Sequence, residues 1–139
     1  MDRISAKLWL GEMADACDIE ALKRNGITAV LSLVEDICDR RGDGILWTGI
    51  FISDLQENPL SRYRQAVETI DRLLRGGHTV LVHCKAGISR SPAVVAGYLT
   101  SKEGLDPLRA WNLIVSKRPV VEPNWIHFER IKEALCAEE

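Results

Sequence analysis

The sequence has no long hydrophobic run, no paired-cysteine motif and no dominant charge, and each lack removes a class of protein. Its longest apolar stretch of note, Pro92 to Leu99, is far short of the ~18 residues that span a bilayer. The start, Met1-Asp2-Arg3-Ile4-Ser5, shows no apolar segment behind a basic one, and no signal region is expected there. Neither end carries a lipidation pattern, so membrane insertion is not expected. The cysteines, Cys17, Cys38, Cys84 and Cys136, form no CxxC pair and no cluster with histidine. That spacing suggests neither a disulfide framework nor a zinc site. With 18 basic against 20 acidic side chains the net charge is −2. Nothing draws the whole molecule to nucleic acid or anionic membrane, so affinity for phosphate has to be local.

What remains is the make-up of an ordinary globular domain: 139 residues, 46% hydrophobic and 27% charged. A chain this long buries roughly two-thirds of its unfolded surface and builds a core without staples. The expectation is one domain over residues 1–139, reduced, cytoplasmic and monomeric. Strand-like and helix-like segments alternate along it. Lys7 to Leu10 is a short apolar start; Ala14 to Asn25 reads as a helix ended by Gly26. Ile27 to Leu33, Leu46 to Ile52 and Thr79 to His83 are rich in β-branched and apolar residues and short enough for strands. Glu35 to Gly44 is charged and reads as a solvated loop. In Ser61 to Arg75 the apolar residues Tyr63, Ala66, Val67, Ile70, Leu73 and Leu74 mark one face of a helix closed by Gly76-Gly77. Pro92 sits where a helix begins well. Asp106-Pro107 opens a helix to about Lys117, and Asn124 caps a last one. This is the grammar of an α/β fold with a central sheet and helices on both faces. The four tryptophans, Trp9, Trp47, Trp111 and Trp125, read as packing residues.

The chemistry is concentrated in TVLVHCKAGISRSPAVVAGYL, residues 79–99. A loop that leaves a buried strand and enters a helix aims backbone N–H groups at one point, and the helix dipole adds positive charge there. Gly87 permits backbone angles that a side chain forbids, and Arg90 can close over an anion with a bidentate fork. The field that holds an oxyanion also favours thiolate at Cys84, which makes that residue a nucleophile aimed at a bound phosphorus. Such chemistry needs an acid for the leaving oxygen, and Asp54, in ISDLQENPL, follows a strand on a separate loop. Its bland alternative is a turn-capping aspartate. Glu57 is the nearest rival; Asp36, Asp39 and Asp43 read as solvation charges.

The string His83-Cys84-Lys85-Ala86-Gly87-Ile88-Ser89-Arg90-Ser91 resembles the signature loop of protein tyrosine phosphatases, HCxxGxxRS/T. Ala86 and Ser89-Arg90-Ser91 look most like the dual-specificity branch. Leu8-Trp9-Leu10-Gly11, Asn25-Gly26-Ile27-Thr28, Arg118-Pro119 and Pro123-Asn124 extend the likeness over about residues 4–135. The resemblance implies a mixed, mostly parallel sheet of about five strands, a cysteinyl-phosphate intermediate and no metal or other cofactor. It implies Cys84 as nucleophile, Asp54 as general acid and then base, and Ser91 as the hydroxyl that eases thiolate departure. Lys85, Ala86, Gly87, Ile88, Ser89 and Arg90 would bind the phosphate, with His83 and Asn124 supporting the loop. His78 and His127 read as plain surface or packing residues.

The substrate implied is a phosphorylated protein or peptide, carrying phosphotyrosine and also phosphoserine or phosphothreonine. No segment resembles the loop that deepens the pocket in strict tyrosine phosphatases. Two alternatives stand beside this: a phosphatase of a lipid, carbohydrate or RNA 5′-phosphate, and a non-catalytic phosphate-binding module. Phosphoinositide phosphatases of the superfamily usually carry a second lysine where this chain has Ile88. A pseudophosphatase would normally lack Cys84, Arg90 or the acid.

Overall fold

The computed structural model describes residues 1–35, 44–54 and 57–136, with Trp125 as backbone only. The strands are β1 (Asp2–Ser5), β2 (Leu8–Gly11), β3 (Ala29–Ser32), β4 (Leu46–Gly49) and β5 (Val80–His83). The helices are α1 (Met13–Ala16), α2 (Ile19–Arg24), α3 (Leu60–Arg75), α4 (Arg90–Lys102), α5 (Pro107–Lys117) and α6 (Trp125–Cys136). One five-stranded sheet runs β1-β2-β5-β3-β4. Only the β1–β2 pair is antiparallel; β5 lies at the centre, parallel to β2 and β3. Every residue of β3 and β5 is buried, as expected of central parallel strands covered on both faces.

The period-two alternation divides the interior. Val80, Val82, Ala29 and Leu31 face a large cluster built with α3 to α6, whereas Leu81 and Val30 face a smaller one with Ala16, Ile19 and Leu22. Helices thus cover both faces, as the sequence suggests. In α3 the buried face is Tyr63, Ala66, Val67, Thr69, Ile70 and Leu73. Helix α4 is buried without a break from Ser91 to Leu99, packed among α3, α5 and α6. A helix apolar on all sides has to be central. Its entry loop therefore sits at the carboxyl end of the central strand, where α/β sheets carry their ligand sites.

Four local expectations are corrected. The segment Ala14 to Asn25 is not one helix but α1 and α2, because Asp18 stops the first turn and accepts the Ala21 N–H at 3.1 Å as the cap of the second. β1 was not expected; it is a short edge strand with only Ile4 buried. Helix α4 starts at Arg90, so Pro92 is its third residue, still in the first turn, where a missing N–H costs no helical bond. Cys17 is disulfide-bonded, against the expectation of wholly reduced cysteines, whereas Cys84 and Cys136 are free thiols. The Glu35–Gly44 loop, apart from its ends, lies outside the described residues. Among the described residues no helix is long and apolar enough to cross a membrane.

Candidate active site

Between β5 and α4 the chain turns through Cys84 to Ser89, and the carbonyls of the turn explain its shape. His83 Nδ1–H donates to Cys84 O at 3.0 Å, and Arg118 donates through Nη2 to Ala86 O at 3.2 Å and Nε to Gly87 O at 2.9 Å. The Met13 N–H donates to Lys85 O at 3.0 Å, and the Glu122 N–H to Ile88 O at 2.8 Å. Successive carbonyls from Cys84 to Ile88 are thus engaged by the surrounding structure. The peptide bonds are trans, so the N–H of each unit lies opposite its carbonyl. The amides of Lys85 to Ser89 are thereby turned toward the hollow side of the loop, joined by the amino end of α4. That is an anion cradle of oriented amides. Gly87 has φ +69°, and a Cβ there would come within 2.5 Å of Gly11 O and 2.7 Å of an Arg118 nitrogen. Glycine is required on both counts.

Cys84 lies at the floor, 2% exposed, its Sγ 3.2 Å from the hydroxyl of buried Ser91. His83 is wholly buried. Because its Nδ1 donates to a carbonyl, Nε2 accepts from the Ser32 hydroxyl, 2.6 Å away. Burial pushes the His83 pKa below its ordinary 6.5, against the pull of that carbonyl and of Asp15. Arg90 is anchored by Nη1–H to Ile52 O at 3.1 Å. Its Nε is buried and finds no hydrogen-bond partner among the described residues, a donor left for something in the cleft.

Asp54 leans over the rim. Its Oδ1 accepts from Ser89 Oγ at 3.1 Å and His127 Nε2 at 2.9 Å, with Arg90 Nε 3.9 Å away. Partial burial raises the Asp54 pKa, but the His127 bond, the Arg90 charge and the Ser89 bond together outweigh it and hold the carboxyl below its ordinary 3.8. Asp54, Cys84, Lys85, Ala86, Ile88, Ser89, Arg90 and Asn124 line one cleft of ≈ 720 Å³, together with Glu122, Pro123 and Ile126. Asn124 Oδ1 accepts the Ile126 N–H at 3.0 Å, which is the helix-capping alternative. Glu57, the rival acid, pairs instead with Arg130 at 3.0 Å and is 74% exposed.

Two site residues escape the sequence reading. Arg118, noticed only as part of Arg118-Pro119, is nearly buried, and its Nη1 also meets Asp2 at 2.8 Å. His127, which reads in the sequence as a surface or packing residue, is 1% exposed and bonded to Asp54 and Tyr63. Nothing in the sequence links residues so far apart.

A thiol at the floor of an amide cradle, with a guanidinium beside it and a carboxylate at the rim, defines the cysteine-based phosphatases. Residues 8–135 match the family described as dual specificity phosphatase, catalytic domain, and the chain belongs to it. It is 34% identical over 122 residues to dual specificity protein phosphatase 1 of Arabidopsis thaliana, covering 87% of this chain and 62% of that one. To dual specificity phosphatase 28 of Homo sapiens it is 33% identical over 141 residues, 98% of this chain and 80% of the relative. The crystal structure of human DUSP28 superposes with a TM-score of 0.88 at 27% identity, covering 99% of this chain and 97% of that one. The chain therefore spans less than two-thirds of one of these curated relatives and four-fifths of the other.

Proposed function

We propose that this chain hydrolyses phosphomonoesters on proteins, phosphotyrosine first and phosphoserine or phosphothreonine as well, through a cysteinyl-phosphate. In the first step the Cys84 thiolate attacks phosphorus, forming the S–P bond as the P–O bond breaks, and Asp54 gives its proton to the leaving oxygen. In the second, Asp54 takes a proton from water, whose oxygen attacks phosphorus and releases Cys84 as thiolate. The loop amides and Arg90 hold the equatorial oxygens as charge redistributes. No metal or cofactor enters this scheme. The observation that carries it is the outward engagement of the loop carbonyls around the buried Cys84 thiol. Ile126, 54% exposed at the cleft edge, and Pro123 give an apolar lip that suits an aryl ring and a peptide chain. The scheme needs Cys84 reduced, and it is a free thiol, whereas Cys17 is disulfide-bonded; the chain is read as a cytoplasmic single domain acting as a monomer.

The test is turnover and binding on phosphotyrosine, phosphoserine and phosphothreonine peptides beside inositol lipids and an RNA 5′-phosphate. Cys84→Ser is expected to abolish turnover while retaining ester binding, and Asp54→Ala to slow it by ~10²–10⁴ on phosphotyrosine. Turnover that survives Cys84→Ser in the presence of a divalent metal overturns the scheme. Faster turnover of a lipid or RNA ester than of any peptide overturns the substrate class.

A further inference from the structure

A closed circuit of hydrogen bonds runs behind the cleft, beginning at Ser53 and ending on its neighbour Asp54. The Ser53 N–H donates to Asn58 Oδ1 at 2.7 Å, and Asn58 Nδ2–H donates back to Ser53 O at 2.9 Å. A backbone N–H can only give and a carbonyl can only accept, so these bonds fix which end of the Asn58 amide is which. Asn58 Nδ2 also donates to Tyr63 Oη at 3.0 Å. The Tyr63 proton then has to go to its other neighbour, His127 Nδ1, 2.9 Å away. That leaves Nε2 to carry the ring proton, and Nε2 is the atom 2.9 Å from Asp54 Oδ1. Asn58, Tyr63 and His127 are all buried, none more than 4% exposed, and burial pushes the Tyr63 pKa upward, which keeps the donor in place.

We infer that His127 is a positioning residue for the general acid: its Nε2–H, directed by Asn58 and Tyr63, holds Asp54 Oδ1 so that the transferable proton sits on Oδ2. The inference rests on the reading of Asp54 given above and adds to it a residue of α6. Among the described residues, the other groups around this pair are Ser89 and Arg90 at the start of α4 and Tyr63 on α3, with Arg130 on α6 and its partner Glu57 acting on Tyr63. Only His127, among the described residues, joins the acid to a buried, directed chain. A donor to the carboxylate favours its ionised form, so the circuit also sets where the alkaline limb of activity falls.

The test compares His127→Phe, which keeps a ring, and Tyr63→Phe, which removes only the hydroxyl, each alone and with Asp54→Asn. Aryl phosphates of good and poor leaving groups are the probes, read as kcat/KM against pH. With a poor leaving group His127→Phe is expected to lose on the order of 10-fold, with the alkaline limb moved to higher pH. With a good leaving group, or in the Asp54→Asn background, the loss is expected to vanish. Tyr63→Phe moves both readings the same way by less, and ¹⁵N shifts of the wild-type ring report an Nε2–H tautomer. Equal losses for all leaving groups, or the same loss with Asp54→Asn, reduce His127 to packing and overturn the inference, as does an Nδ1–H tautomer. Failure of the underlying reading shows differently: Asp54→Asn alone leaves poor leaving groups unaffected.

Discussion

In the proposed mechanism the Ser91 hydroxyl serves the second chemical step more than the first. It lies 3.2 Å from Cys84 Sγ and is completely buried, so its proton has a sulfur to serve whenever that sulfur becomes an anion. When cysteinyl-phosphate hydrolyses, the thiolate is the leaving group and a hydrogen bond to it lowers the barrier. Bonds to charged groups are worth about 1.5–3 kcal/mol. Ser91→Ala is therefore expected to slow breakdown of the intermediate by ~10–100-fold, by that conversion, while forming it nearly as fast. Rapid mixing with p-nitrophenyl phosphate then shows a burst of product followed by a slow steady rate. A steady rate that falls with no burst contradicts this role. At this scale the sequence is legible where the groups gathered around Cys84 lie in nine consecutive residues, His83 to Ser91. It is silent where a role depends on contacts across the fold, as for Arg118 and His127.

An element such as the cradle loop is shaped by what holds its outer side. Gly87 is the tightest point: φ +69°, with backbone of Gly11 at 2.5 and 2.8 Å from any added Cβ. Those neighbours are main chain in the sheet, not flexible side-chain ends, so the loop has to move. Gly87→Ala is expected to lower stability by roughly 1–3 kcal/mol and kcat/KM by more than ~100-fold, since misplacing a site by about 1 Å costs that much. Thermal unfolding and peptide turnover measure the two; an active, stable Gly87→Ala protein contradicts the geometry. The elements themselves are legible where pattern and cap agree. Asp106 receives the Arg109 N–H at 3.0 Å ahead of Pro107, and α3 follows its apolar spacing. They are illegible where a short segment leans on its neighbour: β1 exists because β2 offers it an edge and Arg118 a partner for Asp2.

Across the whole molecule, site and core cannot be separated, because Cys84 belongs to the same buried cluster as Val82, Val94 and Tyr63. His83 carries that union into pH dependence. Folded, it is buried, its two nitrogens occupied by Ser32 and the Cys84 carbonyl, and burial depresses its pKa below 6.5. Unfolded, it takes a proton near its ordinary value. Between those two pKa values the unfolded chain binds more protons than the folded one, so stability rises with pH. The contribution is fully present above the unfolded value of 6.5 and is lost as pH falls from there toward the folded pKa. Asp54, held below 3.8, acts in the same direction but only at lower pH. The melting temperature is therefore expected to fall from about pH 7.5 to about pH 5.5, a window in which histidine titration dominates. His83→Gln is expected to melt lower at neutral pH, because a buried bond to Ser32 is disturbed, yet to depend less steeply on pH across that window. Parallel melting curves for the two proteins would mean that the proton is taken up elsewhere, and that the pair at the base of the cradle does not tie the fold to acidity.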